Sequence, residues 1–364
     1  MVINPIQLFV LRLLALIIPT IILFSSCNKS GKEIVPVIEL TEIKACDLSF
    51  LPEIRNSGVI LKNQDGKPED MLITLQNAGM NTVRLRLWNN PADGHSGFNE
   101  VKALSQEIKN LGLHVWLTVH YSDSWADPGS QTKPENWKNL PFKQLEDSVY
   151  AFTKKIVTEI NPDVIQIGNE INHGFLWPDG NISNKAQLIA LLHQGVKAVR
   201  DHSAKTKIMI HYAGYKKATE FYSQLSGLDY DLIGLSYYPF WHGKDLDSLQ
   251  TGLDAIGATL NKQVLIAETS YPFTFEWNDW TNNVIGLQSQ ILNDYPATET
   301  GQRDFLQKIR EITKKSPKGF GFAYWGGEWI SFKGNTASNG SSWENQAFWD
   351  FDNKVLPVIQ VFNE

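Results

Sequence analysis

From about residue 45 to the C-terminus, short β-branched and apolar runs alternate eight times with longer stretches of helical period. The strand candidates are residues 45–50, 82–88, 115–120, 164–168, 207–211, 232–237, 264–268 and 319–325. Between them lie amphipathic segments at 68–78, 100–111, 142–160, 185–201, 216–225, 246–260 and 300–314. In these, Leu104, Ile108 and Leu111, or Ala186, Ile189, Leu192 and Val196, recur at the spacing of one buried helix face. Gly79 and Gly112 stand where a helix C-terminus needs a left-handed residue, and Pro162 stops the long helix before it. Strands that alternate with helices pair in parallel through right-handed crossovers, and eight such units close into a (β/α)8 barrel, an α/β fold. An open doubly wound sheet would carry a glycine-rich turn after its first strand. Here that turn reads Leu51-Pro-Glu-Ile-Arg55. With no repeat or linker inside 45–364, a single domain is expected.

The first 44 residues do not fit this alternation. Arg12 is the only charge in residues 1–26, and the apolar run from Leu13 to Phe24 follows it, with Ser25-Ser26-Cys27 behind. That layout is a signal peptide with small residues at its cleavage site. Cys27 resembles the lipidated cysteine of a bacterial lipobox, although Phe24 stands where leucine is usual. The expected organisation is a signal at 1–26, a lipid-anchored tether at 27–44 and the barrel at 45–364. The mature protein would be exported and lipid-anchored to the outer membrane, at the cell surface or the periplasmic face. An uncleaved anchor helix is the alternative, but the run is short for a span and Pro19 interrupts it. With Cys27 acylated, Cys46 has no partner and reads as a small core residue of the first strand.

A net charge of −6 provides no basic footprint, so no nucleic-acid partner is expected. Two cysteines are too few for a disulfide scaffold or a thiolate zinc site. The twelve tryptophans are the unusual feature. Ten of them (88, 125, 137, 177, 241, 277, 280, 325, 329 and 343) fall at or after strand ends, where a barrel collects its chemistry. Flat amphipathic rings beside carboxylates suit a sugar, whose C–H faces stack while its hydroxyls hydrogen-bond.

Two strand-end glutamates lead the candidate catalytic residues. Glu170 follows Val164–Gly168 and Glu268 closes Val264–Ala267, and strands four and seven lie across the barrel from each other. Glycoside hydrolysis needs such a pair, about 5–5.5 Å apart for retention and wider for inversion. Arg84 and Arg86 share one face of strand two, where either can neutralise a glutamate. Asn169 is placed to hold a sugar 2-hydroxyl, and Tyr238 or its neighbour Tyr237 to donate to Glu268. Trp88, Trp325, His120, Asp123 and His211 complete the candidate substrate-binding set. Asp123, Asp127 and His173 lack the spacing of a metal motif, so neither a metal nor a cofactor is expected. A surface protein that binds glycan without cutting it is a different-class alternative.

The segments Asp47–Glu53, Asn81–Asn89, His120–Asp123, Trp125–Gly129, Gln166–Glu170, Ala267–Tyr271 and Tyr324–Glu328 together resemble glycoside hydrolase family 53, the arabinogalactan endo-β-1,4-galactanases. The resemblance covers residues 45–364. It implies a monomeric, retaining endo-hydrolase of the β-1,4-galactan in type I arabinogalactan and pectin. Glu170 would be its acid/base and Glu268 its nucleophile. A related glycanase acting on mannan or β-glucan keeps the same chemistry. Some bacterial members carry an acidic calcium loop after strand seven. Residues 273–283 here lack that alternation, so no calcium is expected there.

Overall fold

A computed structural model describes residues 40–363; the expected signal, Cys27 and the tether up to residue 39 lie outside the described residues. Eight strands, β1 (Ile43–Asp47), β2 (Thr82–Leu87), β3 (His114–Val119), β4 (Val164–Ile167), β5 (Lys207–Ala213), β6 (Leu232–Ser236), β7 (Gln263–Thr269) and β8 (Gly319–Tyr324), pair in parallel in chain order. β1 also pairs with β8, Ile43 opposite Gly321 and Cys46 opposite Tyr324, so the sheet is a closed barrel. β1 begins two residues before the expected boundary, because Ile43 is already packed inside the barrel.

The helices are α1 (Leu51–Ser57), α2 (Met71–Asn77), α3 (Phe98–Asn110), α4 (Phe142–Glu159), α5 (Lys185–His202), α6 (Ala218–Ser223), the single turn α7 (Pro239–His242), α8 (Leu246–Leu260) and α9 (Glu299–Lys315). Their starts follow from capping chemistry. Asp70 accepts from the Leu72 amide, Asp245 from those of Asp247 and Ser248, and Thr298 from that of Gly301. Gly79 and Gly112 follow α2 and α3 at φ +95° and +77°, the left-handed conformation expected of them. The segment Leu51–Arg55, read as a turn after the first strand, lies within α1. Pro52 lies in the first helical turn, where its missing N–H costs nothing.

Two apolar layers result. Leucine, isoleucine and valine side chains from helix faces and outward strand positions fill the space between sheet and helices. Inside the barrel a second apolar layer is built from Ile43, Ala45, Trp116, Val164, Met209, Leu232, Leu265, Ala267, Phe320 and Ala323. This layer plugs the lower barrel, so it is a packed core and not a pore. Trp116 is fully buried in it, and the Arg84 guanidinium lies 5.5 Å from its ring centroid. The plug therefore forms the floor on which the polar residues at the strand ends stand. Cys46 is fully buried and free, as a core residue should be.

Candidate active site

Above the plug, the strand ends open into a cavity of about 590 Å³. Asp47, Arg84, Asn169, Glu170, Tyr238 and Glu268 line its floor, and Trp125, Trp241, Trp325, Trp329 and Trp343 form its walls. Glu170 and Glu268 thus share one cavity, reached from strands on opposite sides of the barrel.

Neither glutamate arrives there by regular strand geometry. Side chains alternate along a strand, so Ala267, which packs inside the barrel, would send Glu268 outward. The β6–β7 register shifts at this point: Leu235 faces Ile266, but Ser236 faces Glu268. The extra residue turns Glu268 back to the interior, as bulges beside active sites do. Glu170 follows β4 with φ at +47°, a left-handed conformation that costs a non-glycine residue roughly 1–3 kcal/mol.

Arg84 organises the floor. One nitrogen donates to Asp47 at 2.7 Å, and the other donates to Glu268 at 2.6 Å and to Asn169 at 3.1 Å. The Tyr238 hydroxyl donates to the second Glu268 oxygen at 3.1 Å, whereas Tyr237 donates to the Gly243 carbonyl. Tyr238 is therefore the residue that touches Glu268. Asn169 is fixed on all sides: Gln166 donates to its side-chain oxygen, its amide donates to the Ala126 carbonyl, and Gln131 donates to its own carbonyl. Glu170 receives a hydrogen bond from Ser236 at 2.5 Å, and Ser236 lies 2.9 Å from the His211 Nε2. The His211 Nδ1 accepts from the Glu170 amide at 3.3 Å and lies 3.1 Å from the Asn169 Oδ1, so His211 buttresses Ser236, Asn169 and Glu170 together.

The remaining expected residues divide into lining and support. Arg86, His120 and Trp325 line the cavity. Arg86 is seated among the rings of Phe50, Trp88 and Trp125 at 4.7, 4.5 and 4.1 Å, so it mounts the Trp125 wall from behind. Three residues expected to bind substrate stand off the lining. Trp88 is buried behind Trp125 and Arg86. His211 is buried beneath Glu170. Asp123 accepts from the amides of Asn90 and Glu135 and ties two loops together. Asp47 and Ser236 are site residues not singled out in the sequence, although they end β1 and β6 just as other site residues end their strands. Among the described residues no cluster of three histidine, cysteine or acidic side chains is arranged to hold a metal.

Residues 43–362 match the family model of glycosyl hydrolase family 53. The chain belongs to glycosyl hydrolase family 53. It is 32% identical to an endo-β-1,4-galactanase of Bacillus subtilis over 88% of this chain and 85% of that one. It is 33% identical to an arabinogalactan endo-β-1,4-galactanase of Cellvibrio japonicus over 87% and 89% of the two chains. Its barrel superposes on the family-53 catalytic domain of Ignisphaera aggregans with a TM-score of 0.84 at 35% identity, covering 90% of this chain and 97% of that one.

In this family-53 barrel the two carboxyls have different electrostatic environments. Burial, and next the nearby charge of Glu268, push Glu170 up to about 8, with only the Ser236 hydroxyl and the more distant Arg84 opposing them. Burial, and after it the charge of Asp47, raise Glu268 as well, but there Arg84 in direct contact and the Tyr238 hydroxyl oppose them. At neutral pH the pair therefore keeps a proton, and it rests on Glu170. Burial, with Arg86 and Arg84 nearby, holds His120 well below its ordinary value, so it is neutral. Its Nδ1 accepts from the Ala126 amide, which leaves Nε2–H as a donor. The site offers a proton donor, an anion, neutral donors and stacking rings, which is the equipment for cleaving a glycosidic bond.

Proposed function

We propose that this family-53 enzyme is a retaining endo-hydrolase of β-1,4-galactan, the side chain of type I arabinogalactan and pectin. Glu170 gives its proton to the glycosidic oxygen while Glu268 attacks the anomeric carbon. The chain breaks and a galactosyl ester forms on Glu268. Glu170, now ionised, removes a proton from water, and the water oxygen displaces Glu268 and restores both groups. Arg84 and Tyr238 stabilise the Glu268 carboxylate before attack and as it leaves, and Asn169 is placed for the 2-hydroxyl of the sugar.

One observation carries this reading: two carboxyls in one tryptophan-walled cavity, one touched only by a hydroxyl and the other gripped by a guanidinium. A protein that only binds glycan has no use for that division. The galactan preference is drawn from the names of the relatives. Reducing-sugar release from galactan, mannan and a cellulose-type glucan tests it, with galactan expected to be cleaved at least tenfold faster than the other two.

The cellular setting belongs to the same proposal. The chain is exported, loses residues 1–26 and is held on the membrane by a lipid on Cys27, with the barrel working as a monomer on polysaccharide outside the cytoplasm. The apolar run ending in Ser25-Ser26-Cys27 supports this.

A further inference from the structure

Five of the large apolar side chains that stay exposed belong to two neighbouring loops on the cavity rim: Phe240 and Trp241 after β6, and Trp277, Trp280 and Leu287 after β7. Trp241 is accounted for, since it forms a cavity wall. Trp277 and Trp280 are not. They are 53% and 67% exposed, the surface a folded chain ordinarily hides, and neither lines the cavity.

The backbone carrying them is firmly braced. The amides of Asn278 and Asp279, between the two tryptophans, donate to the buried Glu344 at 2.6 and 3.2 Å. Asp279 is itself buried and accepts from the Thr281 amide and the Ser331 hydroxyl. The Trp280 amide donates to the Ala337 carbonyl at 2.9 Å. Two buried carboxylates thus hold a loop whose outward yield is two open indoles. The brace also ties this loop to the cavity. Glu344 follows Trp343, a cavity wall whose ring lies 4.5 Å from Trp325 and 6.2 Å from Trp241.

We propose that Trp277 and Trp280 form a second glycan-binding platform, taking the polysaccharide chain where it leaves the cavity. The identity of that chain as galactan rests on the proposed function. The Glu344 brace, adjacent in the chain to the wall residue Trp343, gives the direction, and the flanking chemistry selects the ligand class. Beside the two indoles Glu276 and Asn282 are exposed for sugar hydroxyls, and residues 273–283 hold no lysine or arginine. A neutral sugar chain suits that loop, and an anionic lipid surface does not.

The test compares the full chain with its W277A/W280A double variant on a galactotetraose and on long galactan. The platform predicts a KM for the polymer raised at least fivefold, with kcat and tetrasaccharide kinetics within twofold of the parent, and W277F/W280F restoring most of the loss. An unchanged polymer KM, or equal losses on both substrates, overturns it. So does a double variant that keeps its galactan kinetics but loses binding to phosphatidylethanolamine/phosphatidylglycerol vesicles. A parent chain that cleaves no galactan defeats the substrate reading instead. Retardation in galactan gels, lost in the double variant, then still reads the platform, and equal retardation of both chains refutes it.

Discussion

The Arg84 guanidinium donates to Glu268 at 2.6 Å while both side chains are buried, and the same guanidinium holds Asp47 at 2.7 Å. One fork therefore serves two carboxylates, and removing it strands both. Arg84→Ala is expected to cost about 3–5 kcal/mol of stability, the usual penalty for an orphaned buried charge. Arg84→Lys keeps the charge but cannot span Asp47, Asn169 and Glu268 together, and kcat should fall roughly 100-fold. In both variants Glu268 holds its proton more tightly, so the acid limb of kcat/KM moves to higher pH. Denaturant unfolding and a pH–rate profile read the two effects.

Ser236 tunes the proton donor. Its hydroxyl favours the ionised form of Glu170, so Ser236→Ala raises the carboxyl further above its present value of about 8. Activity requires protonated Glu170 and is lost as pH rises through that value. The alkaline limb of the variant should lie at higher pH than that of the parent, with kcat lowered by less than an order of magnitude.

Glu170→Gln separates function from stability. The folded chain binds the Glu170 proton more tightly than the unfolded chain does. The stabilising proton is therefore fully present below the ordinary carboxylate range, and that contribution is lost as pH rises to about 8. Glutamine carries no such titration. The variant should match the parent in Tm near pH 4, exceed it by roughly 2–5 °C at pH 9, and lose on the order of 10²–10⁴-fold in kcat. Calorimetry at the two pH values checks the sign.

Cys27→Ala should release the protein from the membrane fraction without changing the kcat of the barrel, and should abolish incorporation of labelled fatty acid. Fractionation and labelling read both outcomes. Retention of the variant on the membrane would favour an uncleaved apolar anchor.

The barrel was legible in the sequence because βα alternation repeats and each helix buries one face. The two glutamates were legible because a charged residue at the end of an apolar strand is costly without a use. What stayed hidden follows from irregular backbone. A β6–β7 bulge, not alternation, aims Glu268 inward, and a left-handed Glu170 aims the other carboxyl; neither leaves a residue pattern. Tyr237 and Tyr238 are equivalent in sequence and diverge because one faces Gly243 and the other Glu268. Trp88 and His211 have the residue types of a binding site but are buried one layer behind it, and Asp123 is spent on tying two loops together.

The central claim is that Glu170 and Glu268 cleave β-1,4-galactan by double displacement. Proton NMR of the first products released from galactan tests it most directly. The account predicts that the β-anomer of the new reducing end appears first and mutarotates later, and that Glu268→Gln releases none. An α-anomer appearing first, or full activity in Glu268→Gln, would contradict it.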